Sequence, residues 1–468
     1  MAPTAFADEK PKPVLNWGAG DGKSYLVPMA DIVMFDVLLN LFNRQFSGID
    51  DYDADFSSLK DNLTGKWVYD SDPFDINQFG HPYQGSLYHG FARSAGLGYW
   101  EASAYTILGS AAWEVAGEIT SPSINDQLTT GFGGSFLGEP LFRIASLLLE
   151  SGDGSSRPGF WREIGAALIS PATGFNRVAF GERFDGVFRS HNPAVYTRIG
   201  VGLNVDADVD SNVNLNIDPE GQSIPQSYDT GETIGDFTIG YGLPGKPGYS
   251  YERPFDYFHF QFTAASSNIL ENVIVRGLLY GKDYAVGDNY RGIWGLYGTY
   301  DYIAPQIFRI STTAAALGTT GQWWLSRDVA LQGTALAGVG YGSAGTIRGV
   351  GERDYHNGIT PQAMLAMRLI FSDRTSIDLT ARNYYVSDLA SDEEGGKENI
   401  FRGDITLTVR VYNLHGITLT YTGSRRDSSY ADMRDTRQEV GAVSIGYAYL
   451  GQTRSGAVDW RPKSAGGP

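Results

Sequence analysis

The feature that most limits how this chain can fold is a period of two in its apolar residues, which recurs from Thr197 to Leu450. In TRIGVGLNVDA, Ile199, Val201, Leu203 and Val205 alternate with Arg198, Gly200, Gly202, Asn204 and Asp206. RGDITLTVRVYN sets Ile405, Leu407, Val409 and Val411 against Asp404, Thr406, Thr408, Arg410 and Tyr412. VGAVSIGYAYLG sets Val443, Ile445, Tyr447 and Tyr449 against Ala442, Ser444, Gly446 and Ala448. Successive side chains of a strand point to opposite sides, so each segment carries one apolar and one polar face. A soluble sandwich would turn the apolar face to a core. A membrane barrel turns it to lipid and the polar face to a lumen, over segments of about 9–11 residues.

Two observations favour the barrel. Aromatic pairs stand near segment ends (Trp323-Trp324, Tyr300–Tyr302, Tyr384-Tyr385), where an aromatic girdle would sit. Charges of both signs recur on the polar faces, Asp378 with Arg382 and Asp404 with Arg410, as a lumen tolerates. The expectation is an α+β membrane protein with a transmembrane antiparallel β-barrel of about twelve strands. They fall near 195–207, 232–241, 255–265, 271–281, 290–302, 306–317, 328–341, 360–372, 376–387, 402–413, 415–425 and 440–450. Links after the eighth and tenth are short, and those after the seventh, ninth and eleventh are long. Short links after the third and fifth break the alternation and leave room for one misassigned strand.

Residues before 190 follow a different period. PMADIVMFDVLLNLFNRQ (28–45) has apolar spacings of three and four and reads as an amphipathic helix, with further helices over 84–119, 123–150 and 158–169. No run of about 18 uncharged apolar residues occurs. The organisation expected is a signal-peptide remnant and extended start (1–20), a helical domain (21–190), the barrel (191–452) and a C-terminal tail (453–468) without fixed structure after Trp460. The signal remnant rests on Ala5-Phe6-Ala7, a small-x-small cleavage pattern. Small polar-face residues on the seventh and twelfth strands would let helices approach the wall, so the helical domain is expected to plug the barrel or close its periplasmic mouth. The acidic stretches 387–399 and 424–439 read as solvated loops.

The net charge of −17 argues against a nucleic-acid partner, which would need clustered Lys and Arg. The absence of cysteine excludes disulfide and thiolate chemistry. P-loop, EF-hand, H-E-x-x-H and G-x-S-x-G patterns are also missing, so no metal or cofactor is expected.

The chemistry-bearing residues concentrate in 81–143. Ser123-x-x-Asp126 reads as a capping box, and Gly134-x-x-x-Gly138 permits a close helix crossing. Glu114 and Glu118 share a helix face. Buried there, they would need partners such as Arg93, Arg143, His81 or His89, because an unpaired buried charge is costly. The structural reading is a polar network of His89, Arg93, Ser123, Asn125, Glu139 and Arg143. The functional reading makes His81, Glu114, Glu118 and Asp126 an acid/base or ligand-binding set.

This same stretch resembles the N-terminal signature of a Gram-negative envelope family defined only as a domain of unknown function. The signature runs His-Pro-Tyr-x-Gly-Ser, Ala-Arg-Ser-x-Gly, Trp-Glu-x-x-x-Glu, Pro-Ser-x-Asn-Asp and Gly-Gly-x-x-x-Gly-Glu. It is met here at His81–Ser86, Ala92–Gly96, Trp113–Glu118, Pro122–Asp126 and Gly133–Glu139. The resemblance implies an outer-membrane protein with a helical N-terminal domain and brings no reaction or ligand. Partners expected on this reading are outer-membrane lipids, lipopolysaccharide and the outer-membrane assembly machinery. Function divides between a channel, lipid- or solute-handling protein or envelope scaffold, and an intramembrane enzyme acting on lipid.

Overall fold

A computed structural model describes residues 14–70, 72–150, 158–211, 231–266, 268–305, 308–346, 355–388, 396–430 and 433–461. The expected signal remnant and residues 462–468 of the tail lie outside them. The described residues divide into two compact units. The first takes residues up to 67, 83–122 and 130–190; the second takes 68–82, 123–129 and everything from 191 on.

The second unit is a closed twelve-stranded antiparallel barrel in which each strand pairs with its neighbours in sequence and β1 closes on β12. Its strands are β1 (Val195–Ser211), β2 (Thr233–Tyr241), β3 (Phe258–Ala265), β4 (Asn272–Val286), β5 (Tyr290–Ile303) and β6 (Phe308–Trp324), then β7 (Val329–Thr346), β8 (Tyr355–Phe371), β9 (Thr375–Asp388), β10 (Lys397–Tyr412), β11 (His415–Tyr430) and β12 (Met433–Leu450). All twelve expected strands are present, and none was misassigned. The stretch 424–439 is not a loop: its described residues form the facing ends of β11 and β12, with Tyr430 paired to Met433. The alternation that marks a strand fades there because both faces carry polar residues.

The apolar residues of the alternation are exposed, among them Ile199, Val201, Leu203, Ile405, Leu407, Val409, Ile445 and Tyr447. The opposite faces are inside and pair their charges. Arg198 reaches Asp236 at 3.1 Å, Arg382 reaches Asp404 at 3.0 Å, Arg368 meets Asp378, and Arg276 meets Asp301. All of these except Asp301 line a cavity of about 260 Å³. Apolar layers pack on both sides of it. Near the β10–β11 turn end the layer joins Tyr196, Leu243, Tyr257, Leu278, Tyr297 and Val458; towards the other end it joins Phe308, Ile310, Tyr384, Val386, Ile400 and Val440. The tail is part of the first closure. The Val458 carbonyl accepts from Gln322 Nε2 at 2.6 Å and Trp324 Nε1 at 3.0 Å, and the Gly456 carbonyl accepts from Gln332 Nε2 at 3.0 Å. Alternation also splits the aromatic pairs: Trp323 and Tyr385 are exposed, whereas Trp324 and Tyr384 are inside.

The first unit is helical: α1 (Leu26–Phe46), α2 (Phe56–Thr64), the body of α3 (His81–Ser94), α4 (Tyr99–Ala116), α6 (Gly134–Leu149), α7 (Phe160–Ile169) and α8 (Pro171–Phe180). The short α5 (Ile124–Leu128) belongs with the barrel unit. The helix expected over 84–119 is two helices. Gly96 takes φ +90°, a left-handed conformation open to glycine, and Glu101 Oε2 then caps the Gly98 N–H at 2.7 Å to start α4. Helices α3 and α6 cross at Gly85, Gly134 and Gly138. A Cβ at Gly134 would stand 2.6 Å from the Gly85 Cα, and one at Gly138 would stand 2.8 Å from the His89 Cβ.

Helix α1 inverts the pattern expected of a solvated bundle. Leu26, Met29, Val33, Val37, Leu38, Leu41, Phe42 and Phe46 are exposed, while Asp31 is buried. Its other acid, Asp36, accepts from the Tyr88 hydroxyl, and Asn40 donates to the Tyr52 and Gly117 carbonyls at 2.8 Å. By length and composition alone α1 is long and apolar enough to cross a membrane, although no uncharged run marks it.

Candidate functional site

The expected polar residues sort into two clusters, one in each unit. In the helical unit the close α3–α6 crossing brings His89 and Arg93 beside Glu139 and Arg143. Glu139 is fully buried and accepts from Arg93 Nε at 2.7 Å, Arg93 Nη2 at 3.1 Å, Arg143 Nε at 2.8 Å and His89 Nε2 at 3.0 Å. Arg93 Nη1 also meets the Leu97 carbonyl, and its guanidinium lies 4.6 Å from the Phe142 ring centroid. Burial would raise the Glu139 carboxyl, but the two arginines and His89 overcome it and hold the group well below the usual range. Burial pushes the His89 imidazole down against the pull of Glu139.

Three of the partners expected for Glu114 and Glu118, namely His89, Arg93 and Arg143, therefore converge on Glu139. Glu114 is buried on α4, and Asn62 Nδ2 approaches its backbone carbonyl at 3.5 Å. Glu118 accepts from Trp113 Nε1 at 2.9 Å and Thr120 Oγ1 at 3.1 Å.

The second cluster belongs to the barrel unit. A parallel bridge between Val68 and Ser123 knits segment 68–82 to segment 123–129. Ser123 Oγ accepts from the Asp126 N–H at 3.2 Å, as an N-cap does, and donates to Asn125 Oδ1 at 2.8 Å. Asn125 Nδ2 then donates to Asp70 Oδ1 at 2.8 Å and to Asp126 Oδ1 at 3.2 Å. Asn77 Nδ2 also donates to Asp70 Oδ1, at 2.5 Å. Asp126 turns its other oxygen, Oδ2, towards His81 Nε2 at 3.7 Å.

Burial raises the Asp70 carboxyl, yet hydrogen bonds with Asp126 and Asn125, the His81 imidazole and Asn77 together hold it below its ordinary value. Burial pushes His81 down to about 4, against the pull of Asp70, so the imidazole is neutral at neutral pH. Asp70 and Asn77 carried no sequence signal and were missed. They are found only through the Val68–Ser123 pairing.

These two segments seat on the wall of the barrel. Tyr300 donates to the Gln78 carbonyl at 2.6 Å, Tyr302 to Asp75 Oδ1 at 2.7 Å and Tyr355 to the Asp72 carbonyl at 2.6 Å. Asn77 reaches the Tyr355 hydroxyl at 2.9 Å, and Arg309 lies over the Phe74 ring at 4.7 Å. Tyr300 and Tyr302 share the face of β5 that exposes Trp294 and Leu296, and Tyr355 shares the face of β8 that exposes Ile359 and Leu365. The cluster thus lies on the outward side of the strands. This part of the expected plug is not in the lumen, where Leu243, Tyr251, Tyr257 and Val458 of the tail pack against strand side chains.

A family model described as "Domain of unknown function (DUF3943)" matches residues 66–172, the span that holds both clusters. No curated protein matches the chain. Among solved structures the chain is similar to the NanC porin (9% identity, 54% of this chain and 98% of that one, TM-score 0.25). It is also similar to a deltaS2 mutant of the TodX monoaromatic hydrocarbon channel (10% identity, 61% and 93%, TM-score 0.22). A third is the outer membrane channel DcaP of Acinetobacter baumannii (6% identity, 55% and 96%, TM-score 0.23).

Proposed function

We propose that this protein is an outer-membrane β-barrel that works on the lipid side of its wall, handling lipid or anchoring the envelope, with its lumen closed. The observation that carries this reading is the pairing of an apolar-packed interior with a built exterior. Two apolar layers pack on either side of the charged chamber, and half-buried Asp70 with buried His81, Asn125 and Asp126 sits on outward-facing strand residues. The exposed apolar faces of the strands support a bilayer setting. Outer-membrane phospholipid and lipopolysaccharide are the partners this reading implies, with insertion by the outer-membrane assembly machinery.

The full chain, reconstituted in planar bilayers, is expected to give no steady conductance. A stable ohmic current from folded barrels would sink the closed-lumen reading. A catalytic version, with His81, Glu114, Glu118 and Asp126 acting on lipid, predicts a new lipid species. Mass spectrometry of phospholipid and lipopolysaccharide vesicles incubated with the protein would detect it, and the species should vanish with His81→Gln.

A second reading, a gated conduit for small polar solutes, is favoured by one observation. The closure near the β10–β11 turn is made partly by residues 243–257 and 453–460, which are not strands and can leave without breaking the barrel. Conductance that appears only after deletion of 453–468 would favour the conduit. A silent deletion variant would favour the lipid-side reading.

A further inference from the structure

The chamber inside the barrel holds about 260 Å³. That is several times the roughly 30 Å³ share of one water, and just below the pockets of about 300–1,000 Å³ that take drug-sized ligands. Its lining belongs wholly to the barrel unit. Three arginines of this lining each have a carboxylate of their own: Arg198 has Asp236, Arg368 has Asp378 and Arg382 has Asp404. Strand register sets a row of hydroxyls beside them. Asp378 of β9 stands opposite Thr406 of β10, Thr406 opposite Thr420 of β11, and Thr420 opposite Ser444 of β12. All four line the chamber, on the strands that lead round the wall to β1 and Arg198.

Several buried polar atoms of this lining lack a hydrogen-bond partner. Arg198 Nη1 and Asp378 Oδ2 face each other at 3.9 Å, beyond hydrogen-bond distance, and neither bonds anything else. The Tyr196 hydroxyl, Arg382 Nε, Glu271 Oε2 and Asn272 Oδ1 are also unsatisfied, and their residues line the same chamber. Such atoms are costly to leave unpaired. Donors and acceptors are mixed among them. An anion would satisfy only the N–H groups, and a cation only the oxygens. A zwitterion needs donors gathered at one pole and acceptors at the other, whereas Arg198 and Asp378 are adjacent. A hydroxyl does both. Its oxygen, about 2.8 Å from each, would accept from Arg198 and donate to Asp378 across the 3.9 Å gap.

We propose that the chamber is a binding site for a net-neutral polyhydroxylated solute the size of a monosaccharide. Arg198 and Asp378 hold one hydroxyl between them, and the row of Thr406, Thr420 and Ser444 offers partners for others. The Arg368 guanidinium, seated 3.6 Å from the Tyr196 ring centroid and bonded to Asp378, fixes the acid that takes the central hydrogen bond. The inference goes beyond the lipid-side reading and does not need it, because a site within the wall binds whether or not the barrel conducts.

The test refolds the full chain into detergent with labelled D-glucose, D-galactose or D-mannose present from the start, so that entry is not limiting. Equilibrium dialysis then measures bound sugar, with heat-modifiable migration as the check of barrel folding. A single saturable site is expected for at least one hexose, insensitive to salt and not displaced by excess acetate or glycine. Affinity should fall at least tenfold in Asp378→Asn and in Ser444→Leu, which fills the chamber without removing a charge. It should stay unchanged in Asp427→Asn, an exposed acid elsewhere on the barrel. Should either variant not fold, the other and the wild type still decide. Folded wild type that binds no hexose would overturn the site, leaving a chamber that holds only water. Displacement by acetate or glycine would overturn the neutral class, and undiminished binding in the folded variants would place the sugar outside the chamber.

Discussion

The two buried clusters differ in how their carboxylates are compensated, and the difference separates a structural device from a candidate site. Glu139 meets two guanidiniums and one imidazole, all within 3.1 Å. Asp70 and Asp126 meet amides, an imidazole and each other. In the first cluster the positive charge is built into the chain and the geometry is complete. In the second the acids crowd together, an amide oxygen is left over, and the His81–Asp126 gap is too wide for a hydrogen bond. A buried charge network that is satisfied rigidifies its surroundings; one that is incomplete marks a place where a ligand or proton still has a role.

The largest expected effect breaks the satisfied cluster. Glu139→Ala strands two buried arginines, and removal of one partner from a buried ion pair costs about 3–5 kcal/mol. The helical unit should unfold at clearly lower denaturant, read by far-ultraviolet circular dichroism and by protease sensitivity of residues 83–122. Asp70→Asn should cost far less, because it relieves the carboxyl pair while keeping an acceptor for the neighbouring amides. If both substitutions destabilise equally, the contrast between the clusters is wrong. A smaller loss is expected from Gly134→Val, which forces α3 and α6 apart where a Cβ would stand 2.6 Å from the Gly85 Cα. Overpacking of this kind costs about 1–3 kcal/mol. An unchanged unfolding midpoint in that variant would show that the crossing tolerates separation.

Much of the barrel and part of the first cluster were legible in the sequence, for a common reason: each was written in local spacing. Strands showed wherever one face meets an apolar exterior and the other a charged interior, as at Ile405 to Val411. The ends of β10, β11 and β12 did not show, because Glu398, Arg426 and Gln438 pair inside while the opposite face is also polar. Gly134-x-x-x-Gly138 announced a close crossing, but spacing could not say that Glu139, rather than Glu114 or Glu118, would receive Arg93 and Arg143. Asp70 and the tail were invisible for another reason. Their places come from long-range pairings, Val68 with Ser123 and Val458 with Gln322, which leave no periodic trace.

The smallest expected effect is a pH dependence that sets Asp36 against Glu139 within the helical unit. Burial pushes Asp36 up to about 7, opposed by the hydrogen bond from Tyr88. Folded Asp36 is therefore protonated between about 4 and 7, where the unfolded chain is ionised, so its share of stability falls as pH rises through that window and is constant above it. Glu139 has the opposite sign: its depressed carboxyl contributes fully above the ordinary glutamate range, and that share is lost as pH falls below about 4.3. His81 and His89, held neutral by burial, also destabilise the fold as pH falls below about 6.5, so the wild-type profile mixes signs. Subtraction isolates Asp36. The stability of Asp36→Asn relative to wild type should climb from pH 4 to pH 7 and then level, measured by thermal melts of the detergent-folded protein. A difference that stays flat across this range would mean that Asp36 is ionised in the fold, and that α1 does not hold its acid as a neutral group beside Tyr88.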